Sequence, residues 1–223
     1  MMSNHNKATI QAVKIALSPA RMGTYEVATG AVGDEDSAAL ALYAWNAMVS
    51  GAFMAPLHIC EVVVRNAVSD ALEDQYGNRW PWSSGFERSL PDPTIGYSPR
   101  KDLQSARRQA STTGKVIPEL KFVFWQKMFT GRYDARLWNA HLTRVLPNLD
   151  PAKSIGQLRQ AIYDDLENIR KLRNRIAHHE PIFKRNLIDD FQKIYSLIEF
   201  RCKVTADWMT TNQQALVIVN ERP

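Results

Sequence analysis

The stretch IGQLRQAIYDDLENIRKLRNRIAHH, residues 155–179, decides the fold. Leu166, Ile169, Leu172 and Ile176 recur at helical spacing and make one apolar stripe. Asn174 and His178 are four apart and share a second face, which Arg170 and Glu167 continue one and two turns back. The spacing predicts a long amphipathic helix that ends near Pro181. The same period runs outward in both directions. Downstream, residues 186–210 read as the last strong helix, and the apolar tail 215–219 as a short strand or a docking segment. Upstream, 147–151 is a turn, and 116–130 and 133–146 are helices separated by Gly131. Ser98-Pro99 reads as an N-cap with Pro at the first helical position, opening a basic helix to about residue 112 that Gly114 breaks. Residues 79–97, with Trp80, Pro81, Trp82, Gly85, Pro91, Pro93 and Gly96, read as one long irregular segment, a lid or a mobile loop. Residues 37–75 are apolar-periodic and expected to bend or break near 51–56, since Pro56 removes a backbone donor. Tyr76-Gly77-Asn78 ends that region. Before it come a loop at 30–36, a helix from Ser18-Pro19 to about residue 28, and a short helix at 9–17. There is no βαβ alternation and no internal repeat. The expectation is an all-α protein, with residues 1–223 forming a single helical domain.

Composition narrows the function. Of 223 residues, 45% are apolar, which suits a packed core and excludes a disordered chain. The two cysteines, Cys60 and Cys202, cannot build a disulfide scaffold or a Cys-rich zinc site, and a reducing, cytoplasmic setting is expected. Residues 1–7 are polar and lead into no apolar core of a signal peptide. Residues 37–60 carry no formal charge and are long enough to span a bilayer. They contain Asn46, Ser50, Gly51, Pro56 and His58, and Glu61 and Arg65 follow directly, so a buried helix without a membrane is the reading taken. Neither GxGxxG nor GxxxxGK[ST] occurs, and CxxC and HExxH are absent too. No nucleotide cofactor or metal is therefore expected.

The net charge of +5 is concentrated in two stretches. Residues 100–136 hold nine basic and three acidic side chains, with Phe122, Phe124, Trp125, Phe129, Tyr133 and Trp138 interleaved. Arg107, Arg108 and Lys121 could track an RNA backbone while such aromatics stack on bases, although aromatics at this spacing equally suit a core. Residues 170–185 hold six basic side chains against Glu180 alone. There a titratable histidine stands among arginines. Imidazole moves protons near neutral pH, and guanidinium forks match phosphate oxygens. The same residues also suit an ordinary helix end, whose carbonyls attract cations. Glu61 and Arg65, four apart in a nearly apolar helix, are either an intrahelical ion pair or a pair facing a cleft.

Arg173-Asn174-Arg175-Ile176-Ala177-His178 resembles the R-N-x-x-x-H form of the Arg-x(4–6)-His motif of HEPN ribonucleases. Leu17-Ser18-Pro19-Ala20-Arg21, Glu61 to Asn66 followed by Tyr76-Gly77, Leu120 to Trp125, and Leu172 to Phe183 extend the likeness to the Abi-like (abortive infection) branch of that superfamily. The resemblance implies a HEPN-like helical bundle that forms a homodimer. It implies a metal-independent endoribonuclease acting as a toxin or phage-defence effector, with an antitoxin protein or RNA as partner. By position, Arg173 would polarise the scissile phosphate and Asn174 hold it. His178 would serve as acid or base, with Glu61 and Arg65 supporting. Arg170 and His179 complete the polar cluster. His179 also satisfies the looser spacing from Arg173; His178 is preferred for the face it shares with Asn174. No tyrosine follows at plus two, so the tyrosine-bearing variant is not matched. The residues also admit a non-catalytic module binding RNA, a nucleotide or a protein, and a purely structural helical domain.

Overall fold

The computed structural model describes residues 7–30 and 37–223. Among the described residues, helices are the only regular secondary structure. They are α1 (Lys7–Leu17), α2 (Pro19–Thr29), α3 (Ala38–Tyr76), α4 (Ser84–Ser89), α5 (Pro99–Ala106), α6 (Thr113–Val116), α7 (Phe122–Met128), α8 (Asn139–Val145), α9 (Ile155–Ala177), α10 (Leu187–Arg201), α11 (Lys203–Thr211) and α12 (Ala215–Asn220). The all-α expectation is thus met. The chain groups into two compact units. One takes the described residues of Met1–Ala55 with Arg175–Ile188 and Gln213–Pro223; the other takes Pro56–Asn174 and Asp189–Asn212.

In the first unit, Ser18 caps α2 by accepting the Arg21 N–H, and Pro19 fills the first helical position. Ser18 itself has a positive φ of 73° with ψ 142°, and it alone separates α1 from α2. Gly30, at φ 64°, closes α2; the rest of the expected loop, 31–36, lies outside the described residues. Met22, Tyr25, Leu42, Trp45, Val49 and Phe53 are buried. Two polar bonds pin the later segments to α3. The Trp45 indole donates to the Ile218 carbonyl at 2.6 Å, and Asn46 Oδ1 accepts the Ile182 N–H at 2.8 Å. The tail is a helix, not a strand: its first residue, Ala215, is fully buried, and residues 215–220 close on their own backbone.

In the second unit, Leu57, Cys60, Val64, Val68 and Leu72 of α3 are buried, as are Leu158, Ile162, Leu166, Ile169 and Leu172 of α9. The expected break near Pro56 does not occur; α3 is one helix of 39 residues. A proline costs a helix one hydrogen bond and a steric clash, roughly 3 kcal/mol, which one apolar face burying this many side chains outweighs. By length and composition α3 also suffices to cross a membrane. Gly77, at φ 84°, ends it by donating to the Glu73 carbonyl.

Residues 79–97 are not irregular throughout. They contain a 3₁₀ turn at Trp80–Trp82 and helix α4, and Trp80, Phe86 and Leu90 are fully buried. Arg100 donates to the carbonyls of Glu87, Arg88 and Leu90, so the segment's backbone is fastened from α5. Ser98 caps α5 as expected, but that helix stops at Ala106 and Gly114 lies inside α6. The expected helix 116–130 starts late, at Phe122, because Pro118 sits in a 3₁₀ turn. The expected helix 133–146 begins with a five-residue π-turn, Asp134–Trp138. The last strong helix is two, α10 and α11, parted at Cys202, whose backbone is extended.

Candidate functional site

The predicted residues divide at the unit boundary, which falls between Asn174 and Arg175. Arg173, Asn174, Arg170, Glu61 and Arg65 belong to one unit, His178 and His179 to the other. Each group has its own geometry.

On α9 in the second unit, the carboxylate of Glu167 is the hub. Arg170 grips it side-on, Nε at 3.0 Å and Nη2 at 2.8 Å. Gln126 Nε2 donates to it at 2.7 Å, and Lys171 Nζ lies 3.6 Å away. Arg170's hydrogen bonds, opposed by burial and helped by the bond from Gln126, push the carboxyl pKa down to about 2. The same pairing raises the Arg170 guanidinium. One turn on, Arg173 Nε stands 3.3 Å from Glu61 Oε2. Glu61 therefore pairs with Arg173 rather than with Arg65, its neighbour one turn along α3. The Arg65 Nε is left buried with no hydrogen-bond partner. Asn174 is half-buried and makes no side-chain hydrogen bond.

In the first unit, α9 ends at Ala177, two residues before the predicted stop. Glu180 N donates to the Arg175 carbonyl at 2.8 Å and His179 N to the Ile176 carbonyl at 3.0 Å. That pair of bonds is a Schellman motif, with His178 at the C-cap and His179 in the left-handed position that glycine usually takes. His179 has φ 55°. Its carbonyl receives the Arg21 guanidinium, and Arg175 Nε donates to the Pro181 carbonyl at 3.1 Å. Arg175 also lies 3.6 Å from Glu180. The His178 side chain is exposed, whereas His179 borders a cavity of about 430 Å³. Because His178 is a cap residue, the periodicity that puts it on the face of Asn174 stops one residue short of it.

The basic stretch behaves unevenly. Arg107 donates to the Pro81 carbonyl at 2.8 Å and to Glu87 at 2.6 Å, so it holds 79–97 in place. Hydrogen bonds from Gln104 and then Arg107 keep the Glu87 carboxyl below its ordinary range. The side chains of Arg108 and Lys121 are exposed. The six interleaved aromatics are all buried, so stacking on bases is ruled out for them. Phe129 and Trp138 stack on each other at 4.6 Å, and Trp80 meets Trp125 edge-on at 6.3 Å.

Three contributors escape a reading of the sequence. Arg21 lies in a segment that carries the family resemblance but has no assigned role there. Gln126 is fully buried in the apolar run of α7, with its Oε1 unpartnered. A lone amide among Phe124, Trp125 and Met128 is the signal that could have marked it. Asn46 is the third, a buried amide in an uncharged helix. Among the described residues, no three His, Cys, Asp or Glu side chains gather as a metal site. The chain matches no protein-family model, no curated protein and no solved structure.

Proposed function

We propose that this protein is a metal-independent RNA endonuclease of the HEPN type, built on a HEPN-like helical bundle. The observation that carries the reading is the Glu61–Arg173 ion pair, 3.3 Å between Nε and Oε2. The arginine of the motif is held by the acidic residue that the resemblance marks as its support. The pair's nearest approach is at Nε, and the Arg173 side chain remains 42% exposed. Its two Nη groups make no hydrogen bond within the protein and suit two oxygens of one phosphate.

In this mechanism His178 takes the proton from the ribose 2′-hydroxyl, whose oxygen attacks phosphorus. Arg173, with Asn174 beside it in the chain, stabilises the added negative charge. The P–O5′ bond breaks, the departing O5′ takes a proton from water, and His178 returns the proton it took to solvent. The products are a 2′,3′-cyclic phosphate and a 5′-hydroxyl. General acid–base help is worth about 10²–10⁴-fold, and one positioned donor about 10²–10³-fold. The protein would act as a homodimeric toxin or phage-defence effector in the cytoplasm, restrained by an antitoxin protein or RNA.

The test is cleavage of end-labelled RNA in excess EDTA by wild type, His178→Ala and His179→Ala. Cleavage leaving cyclic ends, lost in His178→Ala and kept in His179→Ala, supports the assignment. Loss in His179→Ala alone moves the role one residue along. RNA bound by wild type and never cut refutes the nuclease and leaves a binding module.

A further inference from the structure

In the first unit, a cavity of about 430 Å³ lies beside His179. That volume sits within the range of small-ligand pockets. Ala47, Met54, Ile176 and Ala177 give it apolar walls. Tyr25 and Tyr43 meet edge-to-face beside it, centroids 5.0 Å apart. Its polar lining is Asn46, Ser50, His179 and the two tyrosine hydroxyls, and Asn46 is the most firmly oriented of them. Asn46 is only 5% exposed, and its Oδ1 is committed to the Ile182 N–H at 2.8 Å. That bond fixes which way the amide faces, so what it has left is the NH₂ group, which carries no hydrogen-bond partner in the protein. The Tyr25 hydroxyl has no partner either; burial raises its pKa, so it stays protonated.

We propose that this cavity is a nucleobase subsite that selects a base with a carbonyl at pyrimidine C4 or purine C6, uracil or guanine, over one carrying an amine at that position. The inference rests on the reading of the chain as an RNA-acting protein. Apolar walls with two tyrosine rings among them suit a base better than a ribose hydroxyl or a phosphate. A buried amide with only donors free requires an acceptor opposite. The exocyclic amines of cytosine and adenine would set donor against donor, leaving the Asn46 NH₂ unsatisfied. An enclosed base at the residue after His178 would fix the register of the strand, and so the sequence preference of cleavage.

The experiment is titration of free uridine, guanosine, cytidine and adenosine, followed by saturation-transfer NMR on the whole protein. Uridine or guanosine should bind at least about tenfold more tightly than the amino bases, the discrimination expected of a buried hydrogen-bonding group. Gly51→Phe serves as the blocking variant. Gly51 is exposed on α3 at the cavity edge, a Cβ there meets nothing within 4 Å, and phenylalanine is a better helix former than glycine. It should fold and lose nucleoside binding. Asn46→Asp keeps the acceptor for Ile182 and removes the donor, so it should erase the preference for carbonyl bases. Equal binding of all four nucleosides, none at millimolar concentration, or unchanged binding by Gly51→Phe each overturn the subsite. The outcome separates from that of the nuclease: cleavage without nucleoside binding removes only the subsite, and binding without cleavage removes only the nuclease.

Discussion

Replacing Glu167 by Gln tests the hub of the α9 polar cluster. The carboxylate takes two hydrogen bonds from Arg170 and one from Gln126, and its pKa falls from 4.5 to about 2. At 1.36 kcal/mol per unit, that gap is worth about 3 kcal/mol at neutral pH. The side chain is 27% exposed, and allowance for the water that reaches it brings the figure to about 2 kcal/mol. The folded-state pKa is depressed, so this stability is present above the unfolded value of 4.5 and is lost as pH falls through about 2. About half of it should be gone near pH 3.3, midway between the two values. The assay is urea unfolding of wild type and Glu167→Gln at pH 7, at pH 4.5 and near pH 3.3. The variant should be less stable by about 2 kcal/mol at pH 7 and by about 1 kcal/mol near pH 3.3. A difference that stays constant across this range, or one below about 0.5 kcal/mol at pH 7, would refute the charge-assisted hub.

Three further outcomes follow from local geometry. His179→Gly should raise the urea midpoint by about 1 kcal/mol of stability, because His179 holds a left-handed φ of 55° that glycine adopts without strain; a lower midpoint would show that the ring's contacts outweigh the backbone. Native protein should present one fast thiol to a disulfide reagent, since hydrogen bonding to Thr205 lowers the Cys202 pKa while burial pushes the Cys60 thiol far up. Cys60 should react only in denaturant, and fast labelling of Cys202→Ser would contradict this. Glu61→Gln should reduce RNA cleavage about tenfold or more while changing stability by under about 1 kcal/mol, because the pair it breaks is partly solvated; an equal loss of folding would make Glu61 a structural residue only.

The helix starts were legible because their chemistry is local. Ser18-Pro19 and Ser98-Pro99 each spell an N-cap and a first turn within two residues, and both cap as the sequence suggests. The failures share a different cause. Between residues 99 and 146 the aromatics face inward almost throughout, so a chain of short turns and one long helix give the same apolar periodicity. Pro118, in a 3₁₀ turn, then shortens the first of the expected helices, while the division at Gly131 falls where the sequence places it. At Pro56 the reverse holds: the helix runs on through a strong local breaker, with buried residues on both sides of it. His179 was illegible for another reason. The left-handed position of a Schellman motif is usually announced by glycine, and here a histidine occupies it, so the sequence pattern runs two residues past the helix end.

The candidate site shows the same division, and it bears on how an anion could bind there. From the sequence, Arg170, Lys171 and Arg173 are three cations near the carbonyl end of a helix, which the helix dipole already favours. On that ground they need no ligand. The structure adds two carboxylates: Glu167, which helical spacing already sets beside Arg170 and Lys171, and Glu61, which no periodicity could assign to Arg173. The two partnerships differ in kind. Glu167 takes both Nε and Nη2 of Arg170, the edge of the guanidinium that would fork a phosphate. Glu61 stands at Nε of Arg173 and leaves the Nη groups without a hydrogen bond. A phosphate can therefore meet Arg173 without displacing its carboxylate, while meeting Arg170 would mean breaking the hub first. Of these three cations, Arg173, rather than the more basic-looking Arg170-Lys171 pair beside it, is the one that is held by a carboxylate and still open to an anion.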